Sequence, residues 1–376
     1  MRVLIINSEY PPIGAGAGNA SSNLARRLVE SGNEVVVVTA GYSGLATDET
    51  RDGVRILRGP TSRKRVDRST AIEQVVFMVG AAIRCVALMR SFRAQVVLAF
   101  FGLPSGAVAW FLRLMFGIPY VVSLRGGDVP GFRPYDFWLY HKIAVPFLRM
   151  IWHNAAGVVA NSQGLRDLAK VFDPSAEIAI VPNGVDCERF WTPSRRWSAP
   201  TILSVGRIVH QKGFDLALLA LAGVRDLPWE WRIAGDGPLL GTLKETSMRQ
   251  GLQDRVHFLG WTDVAGLIKE YQGASLFLFP SRHEGMPNAL LEAMASGLPA
   301  IASRIAGNEE LVVPGETGVL VPSEDADALR DSLRTLLTDE AQRQRMGRAA
   351  QKRVAENYGW AAATSQYQRI LEAAVR

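Results

Sequence analysis

Two doubly wound α/β domains in tandem, each a parallel sheet with helices on both faces, are predicted by three features of the sequence. At 376 residues the chain is long for one hydrophobic core, which favours units of roughly 150 to 200 residues. Short β-branched runs alternate with helical patterns almost from end to end, the grammar of parallel strands joined by crossover helices. That rhythm breaks at "VPNGVDCERFWTPSRRWSAP", where three prolines and an Asn183-Gly184 turn replace periodicity, and then it restarts. The expected division is therefore 1–183, a linker over 184–199, and 200–357, with a last helix at about 358–376.

In the first domain "VLIIN" opens the series as a buried strand. "SSNLARRLVESG" follows, with Leu24, Ala25, Leu28 and Val29 at helical spacing and Gly32 as the stop. "EVVVVTA", "QVVLAF", "PYVVSL", "GVVANS" and "IAIVPN" are further short apolar runs, as strands buried on both faces require. Residues 96–124 are the most apolar region, but Arg113, Pro104 and Pro119 divide it into strand "VVLAFF", turn "GLPSG", helix "AVAWFLRLMF" and strand "IPYVVSL". No transmembrane helix is expected there.

In the second domain "TILSVG", "EWRIAGDG", "RVHFLG", "LFLFPS" and "LPAIAS" repeat the pattern. Pro287 is placed at the first position of a short helix, Gly297 just past its end, and Pro299 beyond it. Residues 325–349 read as charged amphipathic helices. The tail "YGWAAATSQYQRILEAAV" sets Trp360, Tyr367, Ile370 and Leu371 at near-helical spacing, so it needs a groove to pack into.

Cys85 and Cys187 cannot form a disulfide framework, and no CxxC or HExxH spacing is present; a reducing cytoplasm fits. "MRVLIINSEYPP" is too short in its apolar run for a signal core. The net charge of +6 lies entirely in residues 1–190, which hold 21 Lys and Arg against 15 Asp and Glu and include the run Arg63, Lys64, Arg65 and Arg68. Such a surplus suits contact with an anionic membrane surface. Nucleic acid is not expected, because basic and aromatic residues do not interleave along any one element.

Four stretches carry chemistry. "PPIGAGAGN" puts Gly14, Gly16 and Gly18 between the first strand and helix, a place for an anion, but it departs from the dinucleotide pattern. "SVGRIVHQKGFD" sets Arg207 and Lys212 five residues apart past a strand end, where they can grip one phosphate from two sides. "AGDGP", Gly235 to Pro238, allows close backbone approach. "EGMPNALLEAMASGLP" keeps Glu284 before an apolar helix and Glu292 within it, beside the amides of Gly285 to Asn288. Buried carboxylates need donors, and the hydroxyls of a sugar or ribose would supply them. His210 and His283 beside these motifs read as residues that pack or that support the ligand-contacting groups from behind, and the Asp325–Asp327 pair as a helix cap rather than a metal site.

On "PPIGAGAG", "VPNGVD..RF.P", "SVGR....KG", "GDGP", "EGMPNALLEAMASGLPAIAS" and "AGNEELV..GETGVLV", in that order, the chain resembles glycosyltransferase family 4. The resemblance implies the GT-B architecture, two Rossmann-like doubly wound parallel-sheet domains facing across a cleft, with the C-terminal helix packing back on the first. It also implies retaining transfer of a hexose-type sugar from a UDP- or GDP-sugar to a glycan or lipid-linked hydroxyl, with no metal and no cofactor. By position, Gly206, Arg207 and Lys212 would meet the diphosphate and Gly16 would meet it from the first domain. Glu284, with Gly285, Met286, Pro287 and Asn288, would hold the donor sugar, and Glu292 the ribose. Arg207, Lys212 and Glu284 would act in catalysis by stabilising the leaving group. In "SLRGGDVPG" Arg125 stands where many members have histidine; it cannot act as a base but could bind a phosphate on donor or acceptor. Asp128 is either an acceptor contact or a turn cap. Acceptor choice would lie in first-domain loops, including the apolar and basic segment 61–92. A nucleotide-sugar 2-epimerase shares the two-domain shape, and a non-catalytic nucleotide-sugar sensor is the reading from another class.

Overall fold

The structure is a computed structural model that describes residues 1–14, 16–60, 63, 65, 69–132, 145–191 and 200–376. Lys64 and Arg68 of the basic run lie outside the described residues. The chain folds as two compact units, Met1–Asn183 with Trp360–Arg376, and Gly184–Gly359.

Valine- and isoleucine-rich runs satisfy both faces of a sheet at once, and they form the centre of the first unit. Its strands are β1 (Arg2–Asn7), β2 (Glu34–Thr39), β3 (Asp48–Arg51), β4 (Val54–Arg58), β5 (Val96–Phe100), β6 (Tyr120–Leu124), β7 (Gly157–Ala160) and β8 (Ile178–Ile180), in the order β3-β4-β2-β1-β5-β6-β7-β8. All pairs are parallel except β3 with β4. The helices are α1 (Gly16–Glu30), α2 (Ala71–Met89), α3 (Ala107–Phe116), α4 (145–154) and α5 (Gln163–Phe172). Along β1 the side chains alternate between two cores, Leu4 and Ile6 in one, Val3 and Ile5 in the other.

Two features of this unit go beyond the sequence reading. The β3–β4 hairpin turns on Asp52 and Gly53, both left-handed at φ 52° and 75°, and that Asp-Gly pair between short strands is a hairpin signal. Helix α2 fills most of segment 61–92, where the sequence suggests acceptor loops. Its Thr70–Glu73 capping box secures the start, Glu73 N–H donating to Thr70 Oγ1 and Thr70 N–H to Glu73 Oε2. Apolar residues surround α2 on both faces, so no single stripe marks it as a helix.

The second unit repeats the layering with one sheet. Its elements are α6 (Cys187–Phe190), β9 (Thr201–Val205), α7 (Phe214–Ala222), β10 (Glu230–Ala234), α8 (Leu240–Arg249), β11 (Val256–Gly260), α9 (Val264–Gly273) and β12 (Leu276–Phe279). There follow α10 (Asn288–Ala295), β13 (Ala300–Ser303), α11 (Ala306–Glu309), β14 (Gly318–Val321), α12 (Ala326–Thr338) and α13 (Glu340–Asn357). The parallel order β11-β10-β9-β12-β13-β14 reverses direction between β9 and β12, and ligands of such sheets bind beyond the strand ends at that switch. Residues 184–190, read from the sequence as the start of a linker, are built into this unit. Val185 N–H donates to Tyr358 O, and Phe190 packs edge-on to Tyr271 in the core. Residues 192–199 lie outside the described residues.

The last helix, α14 (Trp360–Val375), belongs to the first unit, where Trp360, Tyr367 and Leu371 join the core of Val3, Ile5 and Val121.

Candidate active site

Arg207, Lys212, the Gly235–Pro238 turn and Glu284 come from loops that leave β9, β10 and β12 at their C-terminal ends, and Glu292 from the helix α10 that follows the last of them. The β9 and β12 loops are neighbours because their strands pair, Leu203 opposite Phe277. They are then stitched together: Arg282 N–H donates to Gln211 O, and Gln211 Nε2 to His283 O at 2.6 Å. Arg282, 8% exposed, donates to His210 O and to both oxygens of Asp215 in the first turn of α7, and pairs with Glu324. Gly213 makes the crossing possible. Its φ is 65°, and a Cβ there would lie 2.0 Å from Pro280 O. No local motif announces Arg282; its role depends on the meeting of two loops whose contacting residues lie 67 and 72 positions apart.

At this seam Lys212 Nζ donates to Glu284 Oε1 at 2.6 Å, with the two side chains 16% and 10% exposed. Lys212 also lies 4.9 Å from the centre of the Phe279 ring, and Gly206 lies directly under its stem. The sequence assigned the lysine to phosphate and the glutamate to sugar; the fold makes them one ion pair. Arg207 stands half-buried on the same loop. The "AGDGP" turn braces it, since Ile208 N–H donates to Asp236 O and Gly206 N–H to Ala234 O.

Gly285, Met286 and Pro287 are buried. Met286 packs into the core with Leu290. Pro287 precedes the helix rather than opening it: it has extended ψ of 103°, its carbonyl accepts from Leu290 and Leu291, and Asn288 is the first helical residue. One turn along α10, Glu292 Oε2 accepts from the hydroxyl of Tyr271 at 2.9 Å, and that hydroxyl also reaches Ala289 O. Burial pushes the Glu292 carboxyl from 4.5 up to about 7, against the opposing pull of Tyr271 and Arg189. Tyr271, wholly buried on α9, lies in none of the sequence motifs.

Two expectations change, for the flanking histidines and for Arg63. His210 and His283 are exposed rather than packed. Asp325 accepts from Ala328 N–H as the cap of α12, and among the described residues no three His, Cys, Asp or Glu side chains converge as metal ligands would. Arg63, counted from sequence as surface charge, is 6% exposed and donates to Ser8 O and Arg65 O.

In the first unit Gly16 opens α1 at the far end of the loop that follows β1. The preceding loop is held by Arg58, fully buried at the end of β4, which donates to Pro11 O and pairs with Glu49 at 2.8 Å. Asp128 is 5% exposed, and its two oxygens accept from Arg125 N–H at 2.9 Å and Gly102 N–H at 2.7 Å, so it caps the loop after β6 and ties it to the loop after β5. Of the two readings left open for Asp128, the geometry supports the cap. Arg125 likewise is engaged within the protein: its guanidinium lies 4.4 Å over the Phe100 ring and donates to Asn183 Oδ1 and the Tyr367 hydroxyl. A phosphate would have to displace these partners.

Comparison with known proteins completes the description. The family described as "Glycosyltransferase Family 4" matches residues 14–189, and "Glycosyl transferases group 1" matches residues 192–353. A glycogen synthase of Mycobacterium tuberculosis is 27% identical over 97% of this chain and 94% of its own length. A GDP-mannose-dependent phosphatidylinositol monomannoside mannosyltransferase of Mycolicibacterium smegmatis is 28% identical over 95% of each. Among solved structures, sucrose-phosphate synthase of Thermosynechococcus elongatus superposes with a TM-score of 0.88 at 21% identity, covering 98% of both chains. Anabaena Alr3699/HepE, solved with UDP-glucose, gives 0.79 at 17% identity over 99% of both.

Proposed function

Since the chain belongs to glycosyltransferase family 4 and has the GT-B fold, we propose that it is a retaining enzyme that moves a sugar from a UDP- or GDP-sugar to a hydroxyl of a glycan or lipid-linked acceptor. The observation that carries this reading is the Lys212–Glu284 pair at the strand switch of the second unit, with Arg207 on the same loop as Lys212 and Glu284 just before α10. The diphosphate displaces Glu284 from Lys212, Arg207 adds its planar fork, and the freed Glu284 turns to hydroxyls of the donor sugar. Glu292 accepts from the ribose hydroxyls. As the bond from the anomeric carbon to the diphosphate oxygen breaks, charge grows on the leaving group and meets fixed cations and the dipole of α10. The acceptor oxygen bonds to the same face of the sugar, and its proton passes to the departing phosphate. Positive charge comes from the protein, so no metal or cofactor is needed. The first unit is assigned to the acceptor, and the site of action to the cytoplasm.

The test is release of nucleotide from UDP-glucose and GDP-mannose by wild type and by Lys212→Ala, with and without EDTA. Loss of about a hundredfold in the variant is expected. Unchanged turnover in Lys212→Ala overturns the clamp, and loss of wild-type activity in EDTA overturns the metal-free reading. An epimerised sugar formed without acceptor makes the protein an epimerase.

A further inference from the structure

Helix α2 is apolar on two opposite faces, and the core accounts for only one. Phe77, Ala81, Cys85 and Leu88 face inward. On the other side Ile72, Val75, Val79 and Ile83 are 77%, 53%, 56% and 66% exposed. Their intervals of three, four and four residues align them in a single row along the helix. Isolated exposed apolar residues are ordinary, but a continuous row marks a surface made for something else. The end of α3, which packs along α2, adds exposed Leu114, Met115 and Phe116.

The charges around this patch decide what covers it. Arg90 and Arg93, which follow the helix, and Arg113 at the α3 end are exposed, while Arg84, next after Ile83 in sequence, is half-buried and points about 100° round the helix from it. The one acid within α2, Glu73, is held in the capping box, and Asp48 near Arg84 is bonded by Arg55. A second copy would set these arginines against their own kind. An anionic bilayer offers phosphates to the arginines and an acyl boundary to the apolar row. α2 is long and apolar enough to cross a bilayer, but crossing would pull Phe77 and Leu88 out of the core. It would therefore lie flat.

We propose that the outer face of α2 and the end of α3 dock the first unit onto the interfacial layer of an anionic membrane. This surface is separate from Lys212, Glu284 and Glu292, so it stands or falls independently of the donor assignment.

The test is flotation of the full chain with vesicles of phosphatidylcholine alone and of phosphatidylcholine with phosphatidylglycerol in equal parts. Wild type is expected to float with the mixed vesicles, less with neutral ones, and less again in high salt. Val79→Glu with Ile83→Glu should weaken binding by about tenfold or more, and Arg84→Glu with Arg90→Glu should abolish the preference for the anionic vesicles. Val79, Ile83 and Arg90 are exposed and Arg84 is half-buried, and an unchanged thermal unfolding curve shows that the fold is kept. Equal flotation of Val79→Glu with Ile83→Glu and wild type overturns the proposal. So does failure of wild type to bind either vesicle, and if that failure accompanies a wild-type dimer that the apolar variant converts to monomer by light scattering, the occupant is a second copy.

Discussion

Lys212 and Glu284 hold each other in a mostly buried contact at 2.6 Å. Removing one partner of such a pair strands the other charge, so Lys212→Ala should lower unfolding free energy by about 3 kcal/mol, with part of that regained in Lys212→Ala with Glu284→Ala. Chemical denaturation of the four proteins of the cycle measures it. Glu292 allows a pH prediction. Its carboxyl is raised from 4.5 to about 7 in the fold, chiefly by burial, so between those values the folded state holds a proton that the unfolded state has lost. Stability should therefore fall as pH rises through that window, by up to about 3 kcal/mol, and Glu292→Gln should flatten the slope in unfolding followed across it. Local pattern sufficed to nominate Arg207, Lys212, Glu284 and Glu292, because loops after strands are where phosphates and hydroxyls are met. It was silent on Tyr271, Arg282 and Arg58, whose partners lie 21, 67 and 47 residues away. It also misplaced Arg63, since a cation in a basic run looks solvated until another loop folds over it.

The elements that present the site depend on how closely backbones can approach. A Cβ on Gly307, in α11, would lie 2.4 Å from Gly285 O and 2.8 Å from Glu284 O. Gly307→Ala should therefore push the 284–287 loop off its seat, costing about 2 kcal/mol and weakening nucleotide binding without removing any charge. Calorimetric titration with UDP beside a melting curve checks both halves. The short strands were legible element by element, since runs such as "VVLAF" admit little else. α2 was not, because periodicity needs a polar face for contrast and α2 has none. The hairpin β3–β4 carried a readable Asp-Gly turn, but its strands "DETR" and "VRILR" are too short and polar at their edge to stand out.

For the molecule as two units, the C-terminal helix makes the strongest prediction. Trp360, Tyr367 and Leu371 are 6%, 2% and 0% exposed, and Tyr367 also bonds Ser123 and Arg125. Each such side chain contributes roughly 1.5 to 3 kcal/mol on burial, a sum comparable with the entire stability of a domain. Deleting residues 360–376 should thus abolish the first unit's cooperative transition in scanning calorimetry. A nucleotide sugar bound by the second unit should instead raise stability by about 2.7 kcal/mol at a hundredfold excess over its dissociation constant. The sequence by itself determined the two doubly wound domains, the family and the stretches that bear charge at strand ends, because strand alternation, turn glycines and motif order are local properties of a chain. Only the tertiary structure decided that Lys212 meets Glu284, that Asp128 and Arg125 are engaged inside the protein, and that α2 keeps an apolar row in water. Each of those depends on which strands become neighbours, and burial is a property of the neighbours rather than of the residue.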